Sequence, residues 1–176
     1  MKLGSSNINT VKLGSQTVSA IYAGSNRIYP PISAYTWYEA FGTTATISTT
    51  QYVGPNKIYA ESSTYDVPSY QNAKIRVNDV SIVDTALRGH TMAVLSPTGS
   101  TVSITRYDTY GDLNAATSMA NALNAVSAGN IVVLVVYDAS SLNATARSAI
   151  NTGYGSTNSN TWTSFRYSHI FIGTKD

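Results

Sequence analysis

Two histidines, three aspartates and one aromatic-bearing loop are the side chains best suited to chemistry in this chain. His90 follows a glycine at the start of an expected strand, and His169 stands at the start of the last one. With Asp108 or Asp138, two imidazoles can in principle hold a divalent metal; the plainer reading is a pair of hydrogen-bonded structural histidines. Asp108, Asp112 and Asp138 lie near strand or helix ends. Carboxylates converging there on a cleft can perform acid–base work. Their plainer roles are a turn residue for Asp108, a helix cap for Asp112 and a loop-anchoring acceptor for Asp138. No serine sits in a Gly-x-Ser-x-Gly elbow, and Gly153-Tyr154-Gly155 is not a phosphate loop. No catalytic residue, cofactor or metal ligand is assigned, and the chain reads as a non-enzyme.

The best candidate for recognition is the loop from Asn151 to Phe165 with the adjoining Arg166. It sets Tyr154, Asn158, Asn160, Trp162 and Arg166 among Gly, Ser and Thr. An exposed ring can stack on a sugar while amides and hydroxyls bond its hydroxyl groups; the same mixture makes adaptable protein-binding loops. The competing reading is a loop whose Trp folds back on the core. A second aromatic group, Tyr35 to Phe41, is expected to pack between subunits or against the domain.

The composition around these residues is unusual. Charged residues make up 11% of 176, about half the usual share. Ser and Thr supply about a quarter and Tyr is abundant at 13. Aromatic and β-branched residues are too frequent for disorder, so a β-rich fold with a neutral surface is expected. A net charge of +2 without Lys/Arg clusters argues against nucleic-acid binding. With no cysteine, neither disulfides nor thiolate metal sites can form. Met1 leads into the chain without a charged segment and apolar run, so no signal peptide is expected. The longest apolar run, Ile131 to Tyr137, is too short to span a bilayer.

The elements that must position these groups alternate strands with two helices from about residue 55. Strands are expected at Lys57–Glu61, Lys74–Val77, Val80–Val83, Thr91–Leu95 and Thr101–Arg106, with turns at Asn78-Asp79 and Pro97-Thr98-Gly99. A helix is expected from the cap Asp112 to about Ser127, with Ala116, Met119, Leu123 and Val126 on one face. Ile131–Tyr137 reads as a strand buried on both faces. A second helix, about Ala144 to Asn151, is expected to start from Asn143 and stop at Gly153, before a last strand at Ser168–Ile172. Residues 32–54, rich in Tyr and Thr, read as a linker or as the first strands, with Thr44–Thr49 extended. The fold class is α+β: a β-rich N-terminal repeat module, residues 1–31, then a β-sheet domain flanked by short helices, residues 55–176.

The first module has a ten-residue period. Lys2-Leu3-Gly4-Ser5 is followed by Lys12-Leu13-Gly14-Ser15 and then Tyr22-Ala23-Gly24-Ser25. Leu3, Ile8, Val11, Leu13, Val18, Ile21 and Ile28 recur as its apolar set. Units this short cannot bury an apolar face alone, so they must stack on copies of themselves or on a partner. Gly-Ser pairs between β-formers fit hairpin turns, and Pro30-Pro31 ends the segment.

Two resemblances follow from these motifs. Ala73–Asn78, Arg88-Gly89-His90, Ser96-Pro97-Thr98-Gly99, Arg106–Asp112, Ala128–Asp138, Leu142–Arg147 and Ser164–Gly173 stand in the order of the signatures of the interleukin-like EMT inducer family, also called the PANDER-like or GG domain. From about residue 55 onward the chain resembles that family. Secreted vertebrate members carry a signal peptide and disulfides, so the resemblance does not imply a hormone-like role. Some members bind sugars, such as the stem domain of a protein-glycan transferase, so the resemblance does imply a possible glycan ligand. The Leu-Gly-Ser repeat is similar to N-terminal segments of bacteriophage virion proteins, especially those of tail fibres and baseplates. The implied function is a viral structural protein made in the host cytoplasm and located in the virion. Residues 1–31 would dock on other virion proteins, as a homo-oligomer expected to be a trimer, and the C-terminal domain would be displayed. The alternatives are a carbohydrate-binding module for host surface glycans and a head decoration protein. No membrane insertion is expected.

Overall fold

The computed structural model describes residues 37–42, 45–65, 72–112, 114–161 and 165–176 in full, and the backbone of six short strands between residues 2 and 29. Those six form three two-stranded hairpins. β1 (Lys2–Leu3) pairs with β2 (Ser6–Asn7), β3 (Lys12–Leu13) with β4 (Gln16–Thr17), and β5 (Ile21–Ala23) with β6 (Asn26–Tyr29), all antiparallel. The pairs Leu3↔Ser6, Leu13↔Gln16 and Ala23↔Asn26 recur ten residues apart, which is the period of the sequence. Of the apolar repeat set, Leu3, Leu13, Ile21 and Ile28 fall on these strands; Ile8, Val11 and Val18 lie outside the described residues.

The main sheet has nine strands: β7 (Trp37–Gly42), β8 (Ile47–Val53), β9 (Asn56–Thr64), β10 (Ala73–Val77), β11 (Val80–Thr85), β12 (Gly89–Leu95), β13 (Thr101–Tyr107), β14 (Ile131–Asp138) and β15 (Ser168–Thr174). Two helices, α1 (Ala115–Ala125) and α2 (Ala144–Tyr154), accompany it. Residues 37–53 therefore carry two strands, where the sequence left linker and first strands as alternatives. β7 and β8 do not pair with each other: β7 pairs with β15, and β8 with β9.

β14 organises the architecture. One edge pairs antiparallel with β12 along its length. The other edge is shared: Ile131–Val135 pair with β15, and Tyr137 and Asp138 then pair in parallel with Ser63 and Thr64 of β9. The sheet forks there, so β8–β11 fold over one face of β12, β14 and β15. Ile131, Val133, Val135 and Tyr137 point into the core between those layers with Ile58, Ile75 and Leu95. Val132 and Leu134 point the other way, into a core with Met119 and Leu123 of α1, Ile150 of α2 and Phe171. The unbroken apolar run from Ile131 to Val136 follows from the two covered faces of β14.

The helix boundaries differ from expectation at three points. Asp112 does not cap α1. Asn114 occupies the cap position without a side-chain bond, and Asp112 closes the preceding turn by accepting from the Asn114 amide at 2.8 Å. α1 ends at Ala125 because Val126 is already extended. Asn143 does cap α2, accepting from the Ala146 amide at 2.8 Å, but the helix runs through Gly153. The left-handed residue that ends it is Gly155 at φ +81°, whose amide bonds the Asn151 carbonyl.

Candidate functional site

Five strand ends meet at one end of the sheet. β9 ends before Tyr65, β14 ends at Asp138, and β13 runs into Tyr110, while Arg88 precedes β12 and Arg166 precedes β15. Tyr65, Arg88, Tyr110, Asp138, Ala139 and Arg166 line an open cleft of about 140 Å³ there. The backbone holds its walls together: the Tyr65 amide bonds the Asp138 carbonyl at 3.0 Å and the Ser140 amide bonds the Phe165 carbonyl at 2.8 Å. Asp138 sits at φ +67°, a left-handed conformation costly for a non-glycine residue and common at binding sites.

Rings and guanidinium groups form a continuous run at the cleft. Arg166 lies over the Tyr65 ring at 5.3 Å and over Phe165 at 5.7 Å; Phe165 is 5.5 Å from Tyr110; Arg88 lies over Tyr110 at 5.1 Å. The three rings are 60%, 49% and 44% exposed at Tyr65, Phe165 and Tyr110. Exposed rings scattered singly need no explanation, but three held together by cations make a presented surface.

A fork fixes Arg88. Its Nε and Nη2 donate to Asp108 Oδ1 and Oδ2 at 2.9 and 2.8 Å. Those bonds are the first cause lowering the Asp108 carboxyl from 3.8 to about 2. Arg106 Nη2 stands 3.5 Å from the same carboxylate and its Nε donates to the Arg88 carbonyl. Gly89 makes the approach possible. At φ +100°, a Cβ there would stand 2.2 Å from the Tyr107 carbonyl oxygen, so only glycine lets β12 begin this close to the Tyr107–Thr109 turn.

Behind the cleft runs a fully buried polar chain. His90 Nδ1 bonds Thr109 Oγ1 at 2.8 Å, His90 Nε2 bonds His169 Nδ1 at 3.0 Å, and His169 Nε2 bonds Glu39 Oε1 at 2.9 Å. Glu39 Oε2 accepts from the Ser156 hydroxyl and from the Ser159 amide. The β7–β15 register explains the geometry: His169 is opposite Phe41 and Phe171 opposite Glu39, so all four share one face, with Phe41 stacked on His169 at 4.8 Å. Burial first, and the neighbouring His169 second, push His90 well below the usual imidazole value.

The histidines thus bond each other and Glu39 rather than joining Asp108 or Asp138, and among the described residues no group of three or more His, Cys, Asp or Glu is placed to hold a metal. Of the loop candidates, Arg166 lines the cleft and Asn160 is exposed. Tyr154 sits in the core: it is wholly buried, stacks edge-on to Phe171 at 5.3 Å, and its hydroxyl donates to the Leu123 carbonyl. Asn158 turns inward, its amide donating to the Glu39 carbonyl. Trp162 lies outside the described residues. Trp37 and Phe41 pack against the helix-side core and Tyr38 against the other. Sequence reasoning gave no site role to Arg88 or Tyr110, and it missed Tyr65 and Glu39 altogether. The signals of the last two were a lone tyrosine after a strand and a single carboxylate inside an aromatic strand.

A larger groove of about 270 Å³ between α1 and β13 is lined by Met92, Val94, Val102, Tyr107 and Val126 among small residues. Without a charged group it offers little to orient a polar ligand.

No curated protein matches the chain. The pattern of the interleukin-like EMT inducer family matches residues 88–176, from the arginine of the fork to the last residue. This span includes Arg88, Asp108, Tyr110, Asp138, Phe165 and Arg166, and it leaves out the Ala73–Asn78 motif and Tyr65. Matched over just more than half its length, the chain belongs to the interleukin-like EMT inducer family.

Proposed function

We propose that the cleft at the strand ends is a carbohydrate-binding site. The observation that carries this reading is the run of exposed rings and guanidinium groups from Tyr65 through Arg166, Phe165 and Tyr110 to Arg88. Apolar sugar faces stack on such rings, and the Asp138 carboxylate and the guanidinium groups match sugar hydroxyls as acceptor and donors. The site replaces the Tyr154-to-Trp162 loop as the centre of recognition and keeps Arg166 from it. A saccharide array probed with the whole chain tests it. Binding should appear for a defined saccharide class and be lost in Tyr110→Ala and Phe165→Ala, both folded. Binding unchanged in both variants overturns the reading.

We further propose that the domain is displayed on a bacteriophage virion, on a tail fibre or the baseplate, with residues 1–31 as the docking element of a homo-oligomer. The ten-residue recurrence of hairpin pairing supports this, since short hairpins gain stability mainly by stacking on neighbours or partners. Affinity then comes from adding weak contacts over several units and copies. Purified particles should contain the chain at a symmetric copy number, and deleting residues 1–30 should release it. Normal incorporation of the truncated chain removes the docking proposal. A reconstruction placing it on the capsid favours a head decoration role.

A further inference from the structure

We infer that the Glu39–His169–His90–Thr109 chain takes up one proton and no more, and that this uptake reverses the Thr109 hydroxyl beside the cleft residue Tyr110. The argument is one of donors and acceptors. The Glu39 carboxylate receives the Ser156 hydroxyl, the Ser159 amide and His169 Nε2. Two donors on Oε2 fit the ionised carboxylate, which leaves Oε1 to accept, so His169 Nε2 carries a proton.

Two arrangements then satisfy the His169–His90 and His90–Thr109 contacts. In the first, His169 Nδ1 is bare and accepts from His90 Nε2–H, and His90 Nδ1 accepts from the Thr109 hydroxyl. In the second, one proton is added. His169 is an imidazolium paired with Glu39, its Nδ1–H donates to a bare His90 Nε2, and His90 Nδ1–H donates to Thr109 Oγ1. His90 stays neutral in both and only exchanges tautomers. A second added proton would set two N–H groups against each other across the 3.0 Å between His90 and His169. Burial opposes that state too, as the depressed His90 value records.

Among the described residues, the following groups face the rings. β7 presents Glu39, β15 presents His169 itself, and β9 presents the Ser62 hydroxyl, which bonds the His169 amide and Val136. The turn after β13 presents Thr109, with its neighbour Asp108 engaged by Arg88 and Arg106. Asp138, at the end of β14, shares the cleft with Arg88. The loop after α2 presents Ser156 and Ser159, both uncharged. Thr109 is therefore the outlet, placed between Asp108 of the fork and Tyr110 of the aromatic wall.

Histidine ring ¹⁵N NMR on the full folded chain, from about pH 8 to about pH 4, tests this. Both rings should move with one shared midpoint. His169 should reach the imidazolium form, while His90 passes from the Nε2–H to the Nδ1–H tautomer without charging. The Tyr110 ring signals should follow the same midpoint. They should lose that step in Thr109→Val, a near-isosteric change that leaves the His169 step in place. A single His90 tautomer throughout, or two imidazolium rings, overturns the one-proton chain. A Tyr110 step that survives Thr109→Val overturns the outlet. No readout uses a ligand, so failure of the saccharide reading would leave these outcomes intact; only the consequence for binding rests on that reading.

Discussion

His169 Nε2 and Glu39 Oε1 stand 2.9 Å apart with both side chains wholly buried. They are diagonal neighbours on adjacent strands, β15 and β7, and so tie the end of the chain to the start of the sheet. Glu39 also anchors the loop after α2 through Ser156 and the Ser159 amide. One carboxylate thus organises two strands and a loop.

Glu39→Ala removes the common acceptor and leaves the His169 N–H, the Ser156 hydroxyl and the Ser159 amide in a dry interior. Breaking a buried pair on one side costs about 3–5 kcal/mol. Glu39→Gln keeps the shape and part of the bonding, so it should fall between the alanine variant and the native chain. Urea unfolding would show the loss as a lower midpoint at unchanged slope. A loss below about 1 kcal/mol for the alanine variant means the chain is not holding the fold.

Much of this could be read from the residue pattern, and the rest could not for definite reasons. β14, the Asn78-Asp79 turn and the Asn143 cap are local: an unbroken apolar run, two residues tolerant of positive φ at 50° and 68°, and an amide three residues before its partner. The cleft and the polar chain are not local. Arg88 meets Asp108 across 20 positions, His90 meets His169 across 79 and His169 meets Glu39 across 130. Which titratable groups meet depends on strand order, and β14's shared edge is invisible to periodicity. Tyr154 misled because its setting among Gly, Asn and Ser looks like a loop, whereas Gly153 lies inside α2 and only Gly155 ends it.

Stability should decline with acid in two stages. His90 has a folded value held well below its ordinary 6.5, by burial first and His169 second. Its contribution is present above that ordinary value. It is lost as pH falls and the unfolded imidazole charges, at about 1.4 kcal/mol per pH unit for one proton. Asp108 is lowered from 3.8 to about 2, chiefly by the Arg88 hydrogen bonds. Its contribution is present above 3.8 and disappears as pH falls toward 2. Urea midpoints followed from neutral to strongly acid pH should show both stages, and Asp108→Asn should remove only the lower one. A flat profile through the upper stage contradicts a neutral, buried His90.

Gly89→Ala attacks the cleft and the polar chain together. Its methyl would enter the space of the Tyr107 carbonyl and the Asp108 backbone at a φ of +100°. Strain of about 1–3 kcal/mol and overpacking of about 1–3 kcal/mol combine. The variant should lose at least about 2 kcal/mol in thermal or urea unfolding. It should also weaken the Arg88–Asp108 fork, visible as a rise of the Asp108 carboxyl toward 3.8. An unchanged Asp108 value in a destabilised variant would separate the turn from the fork.

Tyr154 separates the core from the cleft. Its ring is wholly buried against Phe171, and its hydroxyl meets the Leu123 carbonyl at 3.1 Å. Burial raises its phenol far above the usual value, so it stays protonated as a donor throughout the working range. Tyr154→Ala leaves a cavity between α1, α2 and the sheet and should cost about 3–5 kcal/mol. Tyr154→Phe removes one hydrogen bond and should cost about 0.5–1.5 kcal/mol. Neither side chain reaches the ring-and-guanidinium surface, so saccharide retention per folded molecule should be the same for Tyr154→Phe as for the native chain. Calorimetry and binding on one preparation decide the matter. If a folded Tyr154→Phe loses retention, the recognition surface extends to α2, and the division between core and cleft drawn from burial fails.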